Sequence, residues 1–412
     1  MFYRFLSIVA LLAIVRSASA QEVRLPATLD LGPEFLKFGI QARAQGERTT
    51  CSLFAITAIA DFEYSHSDLP LRKRLSEEFL IWTANEATGL KGDQAMFYEA
   101  VHGLNRLGIC TADLMRYERT SDSERTPSDQ AIADAKARSE RWRVVWIKRW
   151  DLSRPLSAED VVAIKRALAS GHPVACGLRW PNVLNSASLL EVPPPGDVYD
   201  GHSIVFTGYE DDPQRNGSGV FYFRNSSGPQ WGQNGYGTMS YAYAYAYAND
   251  VLWLQFGDPG SEVPTERFEA ESMMVMSKEK CAITSQQMGT WGGRMWSGGE
   301  QLFCRAEQGG SVEMGFEVRT SGRYRLRILA TAAPDFGSIH VSLDGKPLEP
   351  DFDLYAGRVC PSGSLELGDH DLTVGTHRLR FTAVRKNVVS QNFFFGLDAI
   401  DLIALRGRGS YD

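Results

Sequence analysis

Gln45-Gly-Glu-Arg-Thr-Thr-Cys51-Ser-Leu-Phe-Ala55 is a polar loop that runs directly into an apolar, helix-forming segment. The segment continues as Ile56-Thr-Ala-Ile-Ala-Asp-Phe-Glu-Tyr64, which predicts a helix with Cys51 in its first turn. There the unpaired N–H groups and the positive end of the helix dipole stabilise a thiolate. Gln45 stands six positions earlier, and Gly46 lets the loop fold back. The Gln45 amide can then donate to an oxyanion formed at Cys51, together with the Cys51 N–H. A free cysteine alone usually behaves as a small hydrophobe, so the reading depends on partners elsewhere in the chain.

The residues after Cys51 read as helical. Leu75-Ser-Glu-Glu-Phe-Leu-Ile-Trp82 starts with Ser76 as N-cap and acidic residues in its first turn. Asp93 to Gly108 has apolar residues at helical spacing and a glycine stop, with His102 as a surface or core histidine inside the pattern. Glu118 to Arg141 is charge-rich and reads as a solvated loop or loose helix. Ser157 to Ser170 is an amphipathic helix, capped by Ser157 and stopped by Gly171. From there the period changes to two. Pro173–Trp180, His202–Tyr209, Gly219–Asn225 and Gly235–Ser240 read as short strands separated by turn residues. The Tyr-Ala repeat from Tyr241 to Ala248 fits an alternating strand or a short helix about equally. A helical half before a β half gives an α+β fold with a cleft between the halves.

A thiol attacks a carbonyl efficiently only as a thiolate, and a nearby histidine can hold that charge and later protonate the leaving amine. His202, opening an apolar strand after Val198-Tyr-Asp-Gly201, is the candidate. A third polar group must orient the imidazole. Asn225 stands just before Ser226-Ser-Gly-Pro-Gln-Trp231, whose tryptophan can shield an Asn–His hydrogen bond from water.

Three blocks in this order resemble the papain-like cysteine peptidases. They are Gln45-Gly46-x4-Cys51-x-x-Phe54-Ala55, Gly201-His202-Ser-Ile-Val-Phe-Thr-Gly208-Tyr209, and Arg224-Asn225-Ser226-Ser-Gly228-Pro-Gln-Trp231-Gly232-Gln-Asn-Gly235-Tyr236. Leu75-Ser76-Glu77-Glu78 is similar to the family's second helix start. The resemblance implies Cys51 as nucleophile, His202 as general acid/base, Asn225 as orienter and Gln45 as oxyanion donor. It also shows departures. Arg48 stands where the family usually has a disulfide-bonded cysteine, Ser52 replaces the tryptophan after the nucleophile, and Ser227 replaces the first tryptophan of the asparagine block. These changes predict a wetter, less rigid cleft. The stretch before Gln45 is too short for the family's long inhibitory propeptide.

Met1 to Ala20 reads as a signal peptide, with Arg4, the apolar Phe5–Val15 and a small-residue site at Ala18-Ser19-Ala20. No later run approaches transmembrane length, so the expected product is exported: secreted, periplasmic or at the cell surface. A net charge of −7 is mild for 412 residues and argues against electrostatic nucleic-acid binding. Of the 6 cysteines, Cys281 and Cys304 are a plausible disulfide, although sequence does not fix connectivity.

The expected organisation is a signal peptide at 1–20, a peptidase domain at 21–258, a Pro/Gly linker at 259–265 and an all-β sandwich at 266–406. The sandwich shows alternating strand patterns and a hairpin signal at Asp344-Gly345. It resembles galactose-binding-like jelly rolls that serve as carbohydrate-binding modules, through Phe268-Glu-Ala-Glu271, Gly322-x-Tyr324, Leu343-Asp-Gly345 and Gly396-Leu-Asp398-Ala-Ile400. That resemblance implies a structural Ca²⁺ held by Glu269, Glu271 and Asp398, oxygen donors suited to a hard cation. Trp291, Trp296 and Tyr355 are candidates for stacking on sugars, with core packing the commoner fate of such residues.

The resulting expectation is an exported cysteine peptidase acting on protein or peptide substrates, with no cofactor in catalysis. Its C-terminal module would take a glycan or cell-surface ligand. The alternatives are a thiol amidase or transferase of the same fold, and a non-catalytic binding protein with an inactive peptidase domain.

Overall fold

The structure, a computed structural model, describes residues 25–67, 73–139, 141–182, 189–257 and 266–405. The expected signal peptide and the expected linker lie outside the described residues.

The chain enters through a short strand β1 (Thr28–Asp30) and helix α1 (Gly32–Lys37). Helix α2 (Cys51–Ser65) starts at the residue the sequence indicates and is buried almost throughout. It is therefore a core helix, which explains its apolar, barely amphipathic sequence. Helices α3 (Glu77–Thr88) and α4 (Phe97–Leu107) pack beside it, with Ser76 Oγ accepting from the Phe79 N–H at the start of α3. Helix α4 begins four residues later than Asp93, because the Glu99 carboxylate accepts from the Met96 N–H and sets the first turn there. The charge-rich stretch contains a real helix, α5 (Asp129–Lys136), capped by Ser128.

The β half is larger than its sequence pattern suggests. Strand β2 (Trp142–Lys148) precedes helix α6 (Ala158–Ala169), and β3 (Val174–Pro181), β4 (Val198–Asp211), β5 (Gly219–Arg224) and β6 (Tyr236–Ser240) follow. The Tyr-Ala repeat is helix α7 (Tyr241–Tyr247), after which β7 (Ala248–Phe256) runs back between β2 and β3. Among the described residues these strands form one antiparallel sheet in the order β2-β7-β3-β4-β5-β6, with β1 on β4. Helix α2 lies across β4, β3 and β7, so Cys51 and the start of the histidine strand come from opposite layers of one core.

The C-terminal domain is an antiparallel β structure of β8 (Glu266–Glu269), β9 (Met274–Gln287), β10 (Glu300–Val318), β11 (Gly322–Ala332), β12 (Ser338–Leu343), β13 (Lys346–Asp353), β14 (Cys360–Leu372), β15 (Gly375–Arg385) and β16 (Phe395–Ala404). The Asp344-Gly345 turn joins β12 to β13 with both residues at positive φ, as the sequence predicts for a tight hairpin. All six cysteines are free thiols, Cys281 and Cys304 included, although these two lie within hydrogen-bond reach across β9 and β10.

The two domains share a core. Tyr98 and Met96 of the first pack with Met288, Met295, Trp296 and Cys360 of the second. The Arg294 carbonyl accepts from His102 and Arg106, 3.2 Å in both cases, and the Arg294 guanidinium donates to Glu86 O at 3.2 Å. His102 is thus a satisfied interface histidine. Trp296 is buried, its indole N–H bonded to Thr331 at 2.8 Å, so it is removed from the stacking candidates. Trp291 stays 37% exposed and Tyr355 is half-buried.

Candidate active site

Cys51 is the first residue of α2. Thr50, at the N-cap, turns its hydroxyl to the Tyr117 phenol (2.8 Å) and makes no side-chain cap, and the first turn holds no acidic residue. The positive end of this helix is therefore not neutralised locally. Cys51 Sγ lies 3.6 Å from the carbonyl of Gly201, the residue before His202.

His202 donates from Nε2 to Asn225 Oδ1 at 2.8 Å. The same oxygen accepts from the Ser226 N–H at 2.8 Å, which fixes the orientation of the amide. Asn225 is held in turn by its own N–H, which donates to Gly235 O at 2.9 Å. The sequence reading gives no site role to Trp180, which stands next to the end of β3 with its ring centroid 4.4 Å from that of the imidazole. Trp231 lies beyond it, tilted, with its ring centroid 6.3 Å from that of Trp180. Trp180 thus adds cover that the expectation of a wetter site leaves out, while Ser227 itself stays exposed. Trp180 covers the histidine from the sheet, in place of cover from positions 52 and 227. Its signal was an aromatic at the end of the strand that pairs with the histidine strand, where Trp180 faces Tyr199.

Gln45 is brought back to the asparagine block, as Gly46 at φ +67° allows. Its N–H donates to Ser226 O (2.8 Å), its side-chain Oε1 accepts from the Ser226 hydroxyl, and Nε2 donates to Arg48 O (2.8 Å). A primary amide carries two N–H donors, so one remains for a substrate oxygen.

Arg48 corrects the expectation of a looser cleft. It is 6% exposed and makes paired bonds to two carboxylates: Glu78 at 2.7 and 3.2 Å, and Asp93 at 2.7 and 2.9 Å. A further bond reaches Glu118 O at 2.8 Å, and the guanidinium lies 4.6 Å over the Tyr117 ring. Tyr117 itself donates to Gln45 O at 2.8 Å. The loop before Cys51 is thus fastened by a charged clamp at the position of the missing cysteine. The acidic first turn of α3, read from sequence as dipole stabilisation, serves this loop: Glu78 holds Arg48 and Glu77 holds Arg43 at 2.5 Å.

Burial dominates the protonation of the site. It pushes the Cys51 thiol up, against hydrogen bonds from the Ser203 hydroxyl, the Ser203 N–H and the N–H groups of the first helical turn. It pushes His202 down to about 4, against the Asn225 bond. Both shifts favour the neutral thiol and imidazole, whereas the sequence reading expects an ion pair. The difference is the desolvation supplied by Trp180 and the surrounding core.

In the C-terminal domain Glu269, Glu271 and Asp398 lie within range of one another's charge without closing into a cluster. Ser297 links two of them, its hydroxyl donating to Glu269 (2.7 Å) and its N–H to Asp398 (2.9 Å). One oxygen of Glu269 and one of Glu271 are buried without a partner, and burial with the neighbouring charges pushes Asp398 up to about 8. Among the described residues no three acidic, histidine or cysteine side chains are gathered closely enough to form a metal-binding set.

A core helix with a cysteine at its N-terminus, laid across an antiparallel sheet that presents a histidine beside it, is the papain-like fold. Residues 34–251, more than half of the chain, match the papain family cysteine proteases. The chain belongs to that family and is a cysteine-type peptidase. No curated protein sequence is significantly similar to it. Among solved structures, xylellain, a cysteine protease from Xylella fastidiosa, is 24% identical with a TM-score of 0.48, over 57% of this chain and 88% of that one. The cysteine protease and lectin-like domains of Cwp84, a surface layer associated protein of Clostridium difficile, align over 93% of this chain and 90% of theirs. That likeness, at a TM-score of 0.51 and 12% identity, is one of fold.

Proposed function

We propose that this protein hydrolyses peptide bonds through Cys51, His202, Asn225 and Gln45. Cys51 Sγ attacks the scissile carbonyl carbon, and the resulting oxyanion takes the Cys51 N–H and the free N–H of Gln45. His202 Nδ1, left open by the Nε2–Asn225 bond, passes the thiol proton to the leaving amine. The C–N bond breaks and an acyl-thioester remains. His202 then takes a proton from water, whose oxygen displaces the thiolate and releases the carboxylate product. The observation that carries this reading is the 2.8 Å His202–Asn225 bond on the strand that meets the sulfur of Cys51. A non-catalytic binding role is disfavoured by the same bond, because a site kept only for packing has no need of a fixed imidazole orientation.

His202→Ala removes the proton carrier and is expected to lower kcat/KM by about 10²–10⁴-fold. Asn225→Ala removes one orienting hydrogen bond and is expected to lose about tenfold. Peptide-hydrolysis kinetics on both folded variants decide the matter, and equal losses would contradict the assigned roles.

The protein is proposed to be exported, on the strength of the Met1–Ala20 pattern. No described helix is long and apolar enough to cross a membrane. The β domain is proposed to take a glycan or cell-surface ligand. Its support is the exposed Trp291 and the fold likeness to a peptidase that carries a lectin-like domain. Glu269, Glu271 and Asp398 are proposed to hold a structural Ca²⁺, which would neutralise their crowded charge and occupy the two unpartnered oxygens. A cation bound only by the folded chain raises the melting temperature. Chelator is therefore expected to lower the melting of the full protein and calcium to restore it; unchanged melting would remove the calcium proposal.

A further inference from the structure

We propose that the Ala95–Met96 peptide unit carries the seating of the C-terminal domain to the nucleophile, with Ser52 and Arg358 as positioning residues at its two ends. This rests on the reading of Cys51 as nucleophile. The unit is a single rigid plane, and it is held from both sides. Its carbonyl accepts from the hydroxyl of Ser52, the residue after Cys51 in α2. Its N–H donates to Glu99 Oε2 at 2.7 Å. The other oxygen of Glu99 accepts from the Tyr98 phenol at 2.9 Å and faces the Arg358 guanidinium of the C-terminal domain, 3.6 Å away. The same guanidinium lies 4.5 Å from the centre of the Tyr98 ring. Met96 and Tyr98 are themselves part of the core that the two domains share. Two residues before Ala95, Asp93 holds Arg48, so this segment grips the chain on both sides of Cys51.

Arg358 matters because Glu99 is 5% exposed. A buried carboxylate that loses its cation is left uncompensated, and burial already pushes the Glu99 carboxyl up. A protonated Glu99 holds the Met96 N–H less firmly, since hydrogen bonds to an ionised acceptor are the stronger ones. Around Arg358 the domains fit closely. Gly357 lies against Trp150 and Gly363 against Trp146, where an added Cβ would stand 2.9 Å and 3.2 Å from the nearest ring atoms. A second tie runs through α3. Its first turn holds the nucleophile loop through Glu78 and Arg48, and its last turn offers the Glu86 carbonyl to Arg294 of the C-terminal domain. The β domain is therefore part of the scaffold that aims the sulfur, in addition to any ligand it takes.

The test is hydrolysis of a short soluble peptide, free of glycan, by the full-length protein. Arg358→Ala is expected to lower kcat about tenfold with KM little changed, within what misplacement remote from the chemistry can cost. Ser52→Ala is expected to lose about the same factor. Both losses pass through one peptide unit, so the double variant should lose less than the product of the two. Val341→Ala, buried in β12 outside the shared core, should lower the melting temperature and leave kcat unchanged. If Arg358→Ala fails to fold, Arg358→Met keeps an apolar stem over Tyr98 without the charge and reads the same loss. Unchanged kcat in folded Arg358→Ala, a loss confined to KM, losses that multiply in the double variant, or an equal fall in Val341→Ala each overturn the coupling. All of these leave the assignment of Cys51 intact. That assignment falls if Cys51→Ser keeps hydrolysing peptide, and the positioning parts given to Ser52 and Arg358 then fall with it.

Discussion

Cys51→Ser is expected to lower peptide hydrolysis by about 10⁴-fold or more, the scale on which loss of one member of a nucleophile–base unit acts. The melting temperature should hardly move, because the side chains are nearly the same size and the position is a helix start. The loss follows from acidity. Even the burial-raised thiol ionises far more readily than a serine hydroxyl, and His202 is too weak a base here to compensate. The measurement is initial-rate hydrolysis of a soluble peptide alongside a thermal melt. A variant that keeps more than about a hundredth of wild-type activity would show that another group attacks the carbonyl.

Arg48→Met is expected to be the most destabilising single change near the site. Glu78 and Asp93 are 4% and 12% exposed, and both would lose a doubly bonded cation. Removing one partner from a buried ion pair costs about 3–5 kcal/mol, a drop in Tm on the order of 10 °C for a domain of this size. Activity should fall with it, since Gln45 Nε2 is aimed by the Arg48 carbonyl. Arg48→Lys should recover only part of both, because an ammonium cannot make paired bonds to two carboxylates. A melt within about 1 °C of wild type for Arg48→Met would show that the clamp contributes little beyond its desolvation cost.

The parts of this site legible in the sequence are those tied to local pattern. Cys51 stands at a polar-to-apolar switch, Ser76 at a helix start, and His202 and Asn225 at strand boundaries with distinctive flanks. The unread parts depend on pairing across distance. β7 was hidden because the polar pair Asn249-Asp250 stands at its start, yet Asp250 is buried inside the strand near Lys148. Trp180 acquires its role only when β3 and β4 pair and α2 lies on them. Arg48 was visible as a missing cysteine, but no local rule connects it to carboxylates 30 and 45 residues away. The protonation balance is equally non-local: a helix start and a histidine can be read locally, whereas the desolvation that acts on them is a property of the assembled core.

The guanidinium clamp also sets what the cleft tolerates chemically. A thiol nucleophile must be kept from climbing the oxidation ladder to sulfenic and sulfinic acid, so reductant favours it. In a cleft stapled by cystine, the reagent that protects the nucleophile also threatens the staple. Here the nucleophile loop is held by ionic bonds and every cysteine is a thiol. Reducing agent thus protects the sulfur without loosening what positions it, and the loop can reach its final form without waiting for an oxidase. The vulnerability moves from redox to acid: Arg48 keeps Asp93 charged to lower pH than an ordinary aspartate, and only protonation through that depressed range releases the loop.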